Sequence, residues 1–175
     1  PLEFLTNAKA YRRPFIINKN IYERKEYPKK SISEIVKKIF TDSNLSIREI
    51  IWDQYDHMIT RNVISKIGEN ASVIKTNDNY QAIAVTTDCN IFYCDLDPFL
   101  GVIQAISESY RNLISVGAIP LAITNCLNFG NPEKKEIMGQ FVQTIRGMQI
   151  ASKKLSLPIV SGNVSFYNET NDKSI

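Results

Sequence analysis

The chain has 175 residues, 43% of them apolar and 22% charged, with seven glycines and seven prolines. It is too apolar for a disordered segment and too poor in Gly and Pro for a low-complexity or collagen-like tract, and at this length one sizeable core can bury roughly 70% of the unfolded surface. The formal net charge of +3 is spread thinly, with no basic run interleaved with aromatics, which argues against a dedicated nucleic-acid binder.

In chain order, residues 1–30 carry charges and aromatics (Tyr11, Arg12, Arg13, then Tyr22, Tyr27) without a sustained period. Pro14 and Pro28 interrupt any helix, so this stretch is expected to be an extended arm or linker. Only three apolar residues follow Pro14, so no signal peptide is expected. The opening Pro1-Leu2-Glu3, without Met, reads as a piece of a longer or processed protein. Residues 31–175 are expected to form the folded domain. Ser31 with Glu34 makes a capping box, and Ile35, Val36, Ile39 and Phe40 follow at helical spacing, predicting a helix over 32–40. A second helix is expected from Ser46 through Trp52 to about Tyr55.

From Gly68 the pattern changes. Ser72-Val73-Ile74 and Gln81 to Thr87, separated by Asn77-Asp78-Asn79, read as a hairpin. Asp97-Pro98 opens the strongest helix, with Val102, Ile103, Ile106, Tyr110 and Leu113 on one face and Gly117 as its stop. Ile119 to Thr124 reads as a buried strand, followed by a polar, turn-rich segment through Pro132. The uncharged stretch around it contains Pro120, Gly117 and Gly130, the wrong content for a membrane span of ~20 residues. A second long helix with Ile137, Phe141, Ile145, Met148 and Leu155 on one face leads to a strand from Pro158. The order β-β-α-β-α-β predicts an α/β sandwich, one sheet covered on one face by two helices, with the other face needing a partner.

Two segments place small polar residues beyond the expected strand ends: Thr124 to Pro132, and Ser161 to Ser165. Ligands collect at such ends in open α/β sheets; Asn and Ser offer neutral oxygens to a hard cation, and Gly lets backbone approach a phosphate. The same residues also favour tight turns, so spacing leaves both readings open. The single histidine, His57, beside Asp53 and Asp56, reads as a cap or surface contact, and no nucleophile–base pair is visible. There is no GxxxxGK[ST] or GxGxxG. Cys89, Cys94 and Cys126 lack metal spacing and are expected to be free thiols in a reducing cytoplasm.

Longer motifs are more specific. Trp52 to His57, Thr87-Asp88-Cys89-Asn90, Leu96 to Phe99, Cys126 to Lys134 and Val160 to Thr170 resemble the synthetase subunit of the phosphoribosylformylglycinamidine synthase family, in the same order. Within that subunit the resemblance is to the N-terminal domain of the second of two duplicated halves. It implies a fold like the N-terminal domain of aminoimidazole ribonucleotide synthetase, with such domains pairing sheet to sheet in a barrel-like arrangement. It also implies an ATP-dependent ligase of purine biosynthesis. In the family, ATP phosphorylates the formylglycinamide oxygen, and ammonia from a glutaminase partner displaces the phosphate.

Carried over by position, Asn125 takes the place of a nucleotide-contacting aspartate, Gly162 contacts nucleotide, Asn163 is a ligand for Mg2+ and Ser165 contacts substrate. The family's catalytic histidine belongs to the other half and His57 does not match it, so no catalytic residue is assigned here. The departures are Asn125 and Asn70, each where the family has an acid, and Val102 where it has a glycine after Gly101. A lost carboxylate removes an attraction of about 4 kcal/mol per charge pair at ~4 Å and effective ε ~20. The nucleotide site of this half is therefore expected to be weakened, structural or lost. By itself the chain is expected to lack turnover, to need the first half, the C-terminal domain and the glutaminase, and to form a homodimer through its bare sheet face. The alternative is a chiefly structural, dimerising domain.

Overall fold

The computed structural model describes residues 2–8, 10–18, 29–54, 62–65, 67–76, 80–171 and 173–174. Tyr55, His57, the arm's Tyr22 and Tyr27, and the Asn77-Asp78-Asn79 turn fall outside them. The arm is not extended throughout: Leu2–Thr6 form a short helix, α1. Farther on, Ile16 N–H donates to the carbonyl of Lys135 at 3.0 Å, tying the arm to the body.

The next helix, α2 (Ile32–Thr41), starts where its capping box requires. The Ser31 hydroxyl accepts from Glu34 N–H at 3.3 Å, and the Glu34 carboxylate accepts from Ser31 N–H at 2.9 Å. Its apolar residues Ile35, Val36 and Ile39 stay close to half exposed. The helix expected over 46–55 is a single turn, α3 (Glu49–Trp52), whose cap residue Arg48 makes no side-chain capping bond. Without a capped start, the β-branched Ile47, Ile50 and Ile51 do not propagate a longer helix.

The hairpin forms as expected. β1 (Ser72–Lys75) and β2 (Ala82–Val85) pair antiparallel, Val73 opposite Ala84 and Ile74 opposite Ile83. A bridge from Val63 to Ile74 adds a short third segment on the other edge of β1. A six-residue helix, α4 (Ile91–Leu96), follows; no periodicity announced it. Asp97 ends α4 and caps α5 (Pro98–Ser115), its Oδ1 accepting from Phe99 N–H at 3.0 Å and Leu100 N–H at 2.9 Å. Gly117, at φ +81°, turns the chain out of α5.

The strand expected over 119–124 is displaced. β3 spans Ile123–Asn128, while Ile119 and Leu121 are 81% and 77% exposed. Pro120 has no N–H for a ladder, and pairing begins where Ile123 N–H reaches the carbonyl of Pro158 at 2.9 Å. After α6 (Lys135–Leu155) comes β4 (Ile159–Ser165), parallel to β3, then the short antiparallel pair β5 (Glu169–Thr170) and β6 (Lys173–Ser174).

The architecture is mixed α/β, as expected, but among the described residues the strands form three two-stranded ladders rather than one sheet. Ile106 of α5 with Met148 and Ala151 of α6 make the buried core, and Ile123, Leu127 and Ile159 pack onto it from β3 and β4. Both long helices therefore cover one side of the parallel pair. They approach closely at Gly147, where a Cβ would lie 2.5 Å from the Phe99 carbonyl oxygen and from Val102 Cγ1. Val102 accordingly packs against α6. Among the described residues no helix is long and apolar enough to cross a membrane.

Candidate functional site

Of the first polar segment Thr124 to Asn128 are strand, and of the second all of Ser161 to Ser165. In the parallel register Thr124 stands opposite Ser161, Asn125 opposite Gly162, Cys126 opposite Asn163 and Asn128 opposite Ser165. The four candidate residues Asn125, Gly162, Asn163 and Ser165 are thus brought side by side by residues far apart in sequence. They do not share one face. Side chains alternate along a strand, so Asn125 lies on the helix-covered side with Ile123 and Leu127, whereas Thr124, Cys126 and Asn128 point the other way. Gly162 shares the Asn125 side: a Cβ there would overlap the Asn125 amide. Asn163 and Ser165 belong to the opposite, open face, where Thr124 and Ser161 hydroxyls hydrogen-bond at 2.8 Å.

That open face is polar, lined by hydroxyls, amides and one thiol. It can orient a ligand by hydrogen bonds. Its donors toward a cation are neutral, and Mg2+ favours carboxylate and phosphate oxygens. Among the described residues no cluster of three His, Cys, Asp or Glu side chains could hold a metal ion. Asn163 and its neighbours therefore do not fit a magnesium site of their own. Asn70, the other neutralised position, lies elsewhere. Its amide donates to Ser115 Oγ at 3.3 Å, and with Glu69 and Val73 of β1 it lines a cleft of about 640 Å3 that contains no residue of β3 or β4.

Beyond β3 and β4 the two motifs are stitched into one structure. Phe129 and Phe166 both stack on Phe141 of α6, edge to face, at 5.4 and 5.3 Å. Asn168 donates from its amide to the carbonyls of Phe129 (3.1 Å) and Ser165 (3.0 Å). Glu169 accepts from Asn131 N–H at 2.8 Å and from the Lys134 ammonium at 2.9 Å, and these contacts, the backbone one first, hold its carboxyl below the usual carboxylate range. Tyr167 sits at φ +62°, rare for an aromatic residue, held by its N–H on the Gly130 carbonyl (3.0 Å) and its hydroxyl on Glu133 (3.3 Å). Tyr11 and Arg13 from the arm join Phe141, Phe166 and Tyr167 around a cavity of about 360 Å3, and Arg13 lies 3.7 Å from Glu133.

Asp88 is a residue whose part the motif reading did not explain. One of its oxygens accepts from the Thr86 and Ser109 hydroxyls, both at 2.8 Å, and the other from the Asn112 amide at 2.7 Å. It fastens the end of β2 to α5. Ser109 and Asn112, one turn apart on a helix face, were the only sequence signal for it.

Residues 68–175 match the family described as AIR synthase related protein, N-terminal domain. The phosphoribosylformylglycinamidine synthase subunit PurL of Azorhizobium caulinodans is 46% identical over 145 residues, covering 83% of this chain and 20% of that protein. The structure of PurLQS from Thermotoga maritima is similar with a TM-score of 0.73 at 27% identity, over 99% of this chain and 27% of that one. T. maritima PurL complexed with ADP gives a TM-score of 0.70 at 27% identity, with the same 99% and 27% coverage. The chain thus spans about a fifth to a quarter of the length of these relatives. The family match takes in the hairpin, both packed helices and the paired motif strands, and the chain belongs to the AIR synthase related protein family, as its N-terminal domain.

Proposed function

We propose that this chain is the N-terminal domain of the second half of a phosphoribosylformylglycinamidine synthase, working in the cytoplasm. That enzyme is an ATP-dependent ligase converting formylglycinamide ribonucleotide and glutamine-derived ammonia to formylglycinamidine ribonucleotide. The observation that carries the reading is the parallel register that sets Asn125 beside Gly162 and Asn128 beside Ser165, two distant motifs joined on adjacent strands. In this reading Ser165 and Asn163 hydrogen-bond substrate on the open face and Gly162 lets a nucleotide approach the backbone. The ADP complex of the T. maritima relative supports a nucleotide as ligand. Asn125, neutral and on the other side of the strands from Asn163 and Ser165, supports a nucleotide site weaker than its acidic counterpart. The boundary between a 1–30 arm and a 31–175 domain belongs to the same proposal.

The first half, the C-terminal domain and the glutaminase complete the enzyme in this reading, and this chain without them has no turnover. The Ser165→Ala variant of the intact enzyme tests it. One lost hydrogen bond worth ~1.4 kcal/mol lowers kcat/KM about tenfold. A second reading, a chiefly structural and dimerising domain, is favoured by the apolar row Val63, Ile74, Ile83 and Val85 left exposed beside the hairpin. Under it, Ser165→Ala leaves activity intact.

A further inference from the structure

The stretch of the arm that the body holds is residues 11–16. Pro14 fixes its own φ and keeps Arg13 extended, so this stretch lies as a strap rather than a helix. Two backbone contacts seat it on the start of α6. Ile16 N–H donates to the Lys135 carbonyl at 3.0 Å, and the Ile16 carbonyl comes so near Gly139 that a Cβ there would overlap it. Gly139 is buried, and a residue without a side chain is what lets the strap approach the helix at this point.

The strap ends beside the corner that follows β4, and Glu133 joins the two. Its Oε1 accepts from the Tyr167 hydroxyl at 3.3 Å and lies 3.7 Å from the Arg13 guanidinium. Tyr167, at φ +62°, holds a conformation that is costly for a bulky residue and persists only where neighbours over-determine it. It stands two residues beyond Ser165, whose carbonyl accepts from Phe129 N–H at 2.9 Å and from the Asn168 amide at 3.0 Å. The Arg13–Glu133 pair is largely exposed and contributes little stability by itself. What it supplies is placement, because it fixes the carboxylate oxygen on which the Tyr167 hydroxyl rests.

We propose that residues 11–16 are a positioning strap: seated on Gly139, they hold Glu133 and the Tyr167 corner so that Ser165 is presented to substrate on the open face. This rests on the role of Ser165 proposed above. Once the strap leaves Gly139, Arg13 leaves Glu133 and the Tyr167 hydroxyl loses its fixed acceptor. The corner then relaxes toward negative φ and the end of β4 shifts. The core of Ile106, Met148 and Ala151 contains no arm residue and stays packed.

The test is made in the intact enzyme with two variants. Gly139→Ala sets a methyl group against the Ile16 carbonyl while favouring helix in α6, so it unseats the strap and spares the body. Tyr167→Phe removes the hydroxyl and leaves the strap seated. Hydrogen exchange at the Ile16 amide reads the seating, and steady-state kinetics with formylglycinamide ribonucleotide read the presentation of Ser165. Gly139→Ala should lose protection at Ile16, and both variants should lower kcat/KM about fivefold, within the roughly tenfold given to Ser165. In a Ser165→Ala background neither should lower it further, because the group they position is gone, whereas a general loss of structure would add. The strap is overturned if Ile16 stays protected in Gly139→Ala, if exchange rises while kcat/KM holds, if Tyr167→Phe is silent, or if the losses add to that of Ser165→Ala. A Ser165→Ala enzyme of full activity is a separate outcome: it removes the role of Ser165, and the strap's purpose with it.

Discussion

At Gly162 a methyl group would run into the amide of Asn125, the end of a flexible side chain rather than backbone. Gly162→Ala should therefore cost about 1 kcal/mol by displacing that amide, toward the low end for overpacking. In an Asn125→Ala background the conflict is gone. The same change should then stabilise by about 0.5 kcal/mol, since Ala orders a strand at less entropic cost than Gly. Urea denaturation of the four proteins reads the coupling, and equal costs in both backgrounds would reject the contact. Glu169 gives a pH prediction. Its carboxyl lies below the ordinary 4.5 in the folded protein, through Asn131 N–H and then Lys134. Unfolding returns it to the ordinary value, so the clamp contributes stability above that pH and loses it as pH falls through the lower folded value. Glu34 shifts in the same direction, so the measurement is a difference. Thermal melting followed below pH ~4.5 should fall less steeply for Glu169→Gln than for the unaltered protein.

Among elements, the crossing of α5 and α6 is the decisive contact, and Gly147 sets how close they come. Replacing it with Ala gains up to ~1 kcal/mol of helix propensity. Against this, the new Cβ meets a backbone carbonyl that cannot rotate away, and overpacking of this kind costs about 1–3 kcal/mol. The cost outweighs the gain, so Gly147→Ala should destabilise, and Val102→Ala should relieve only part of the loss because the Phe99 carbonyl remains. Chemical denaturation of the single and double variants checks both signs. The starts of α2 and α5 were legible because Ser31 with Glu34, and Asp97 with Pro98, carry their signal within one turn. β3 was misread because Thr124, Asn125 and Asn128 look like turn residues until β4, more than thirty positions later, supplies their ladder. The helix α4 escaped because six residues are too few for a period to appear.

For the molecule as a whole, the apolar surface left uncovered is the informative quantity. Val63, Ile74 and Ile83 stand in one row across three paired segments, with Val85 beside them, all at least a third exposed. A row of this kind on a half-solvated sheet marks an interface. We expect the chain to self-associate through it. Light scattering at micromolar concentration should report a dimer, and Ile83→Lys a monomer. A monomer before substitution would remove the homodimer from the proposal.

The sequence by itself determined the local and periodic features: the capped helices, the hairpin, the mixed α/β class and the family motifs, all written in contiguous residues. Only the tertiary structure decided which motif residues meet and on which face. A strand's polar side chains acquire a side and a neighbour only when another strand fixes the register, so the separation of Asn125 from Asn163 and Ser165 could not be read from spacing.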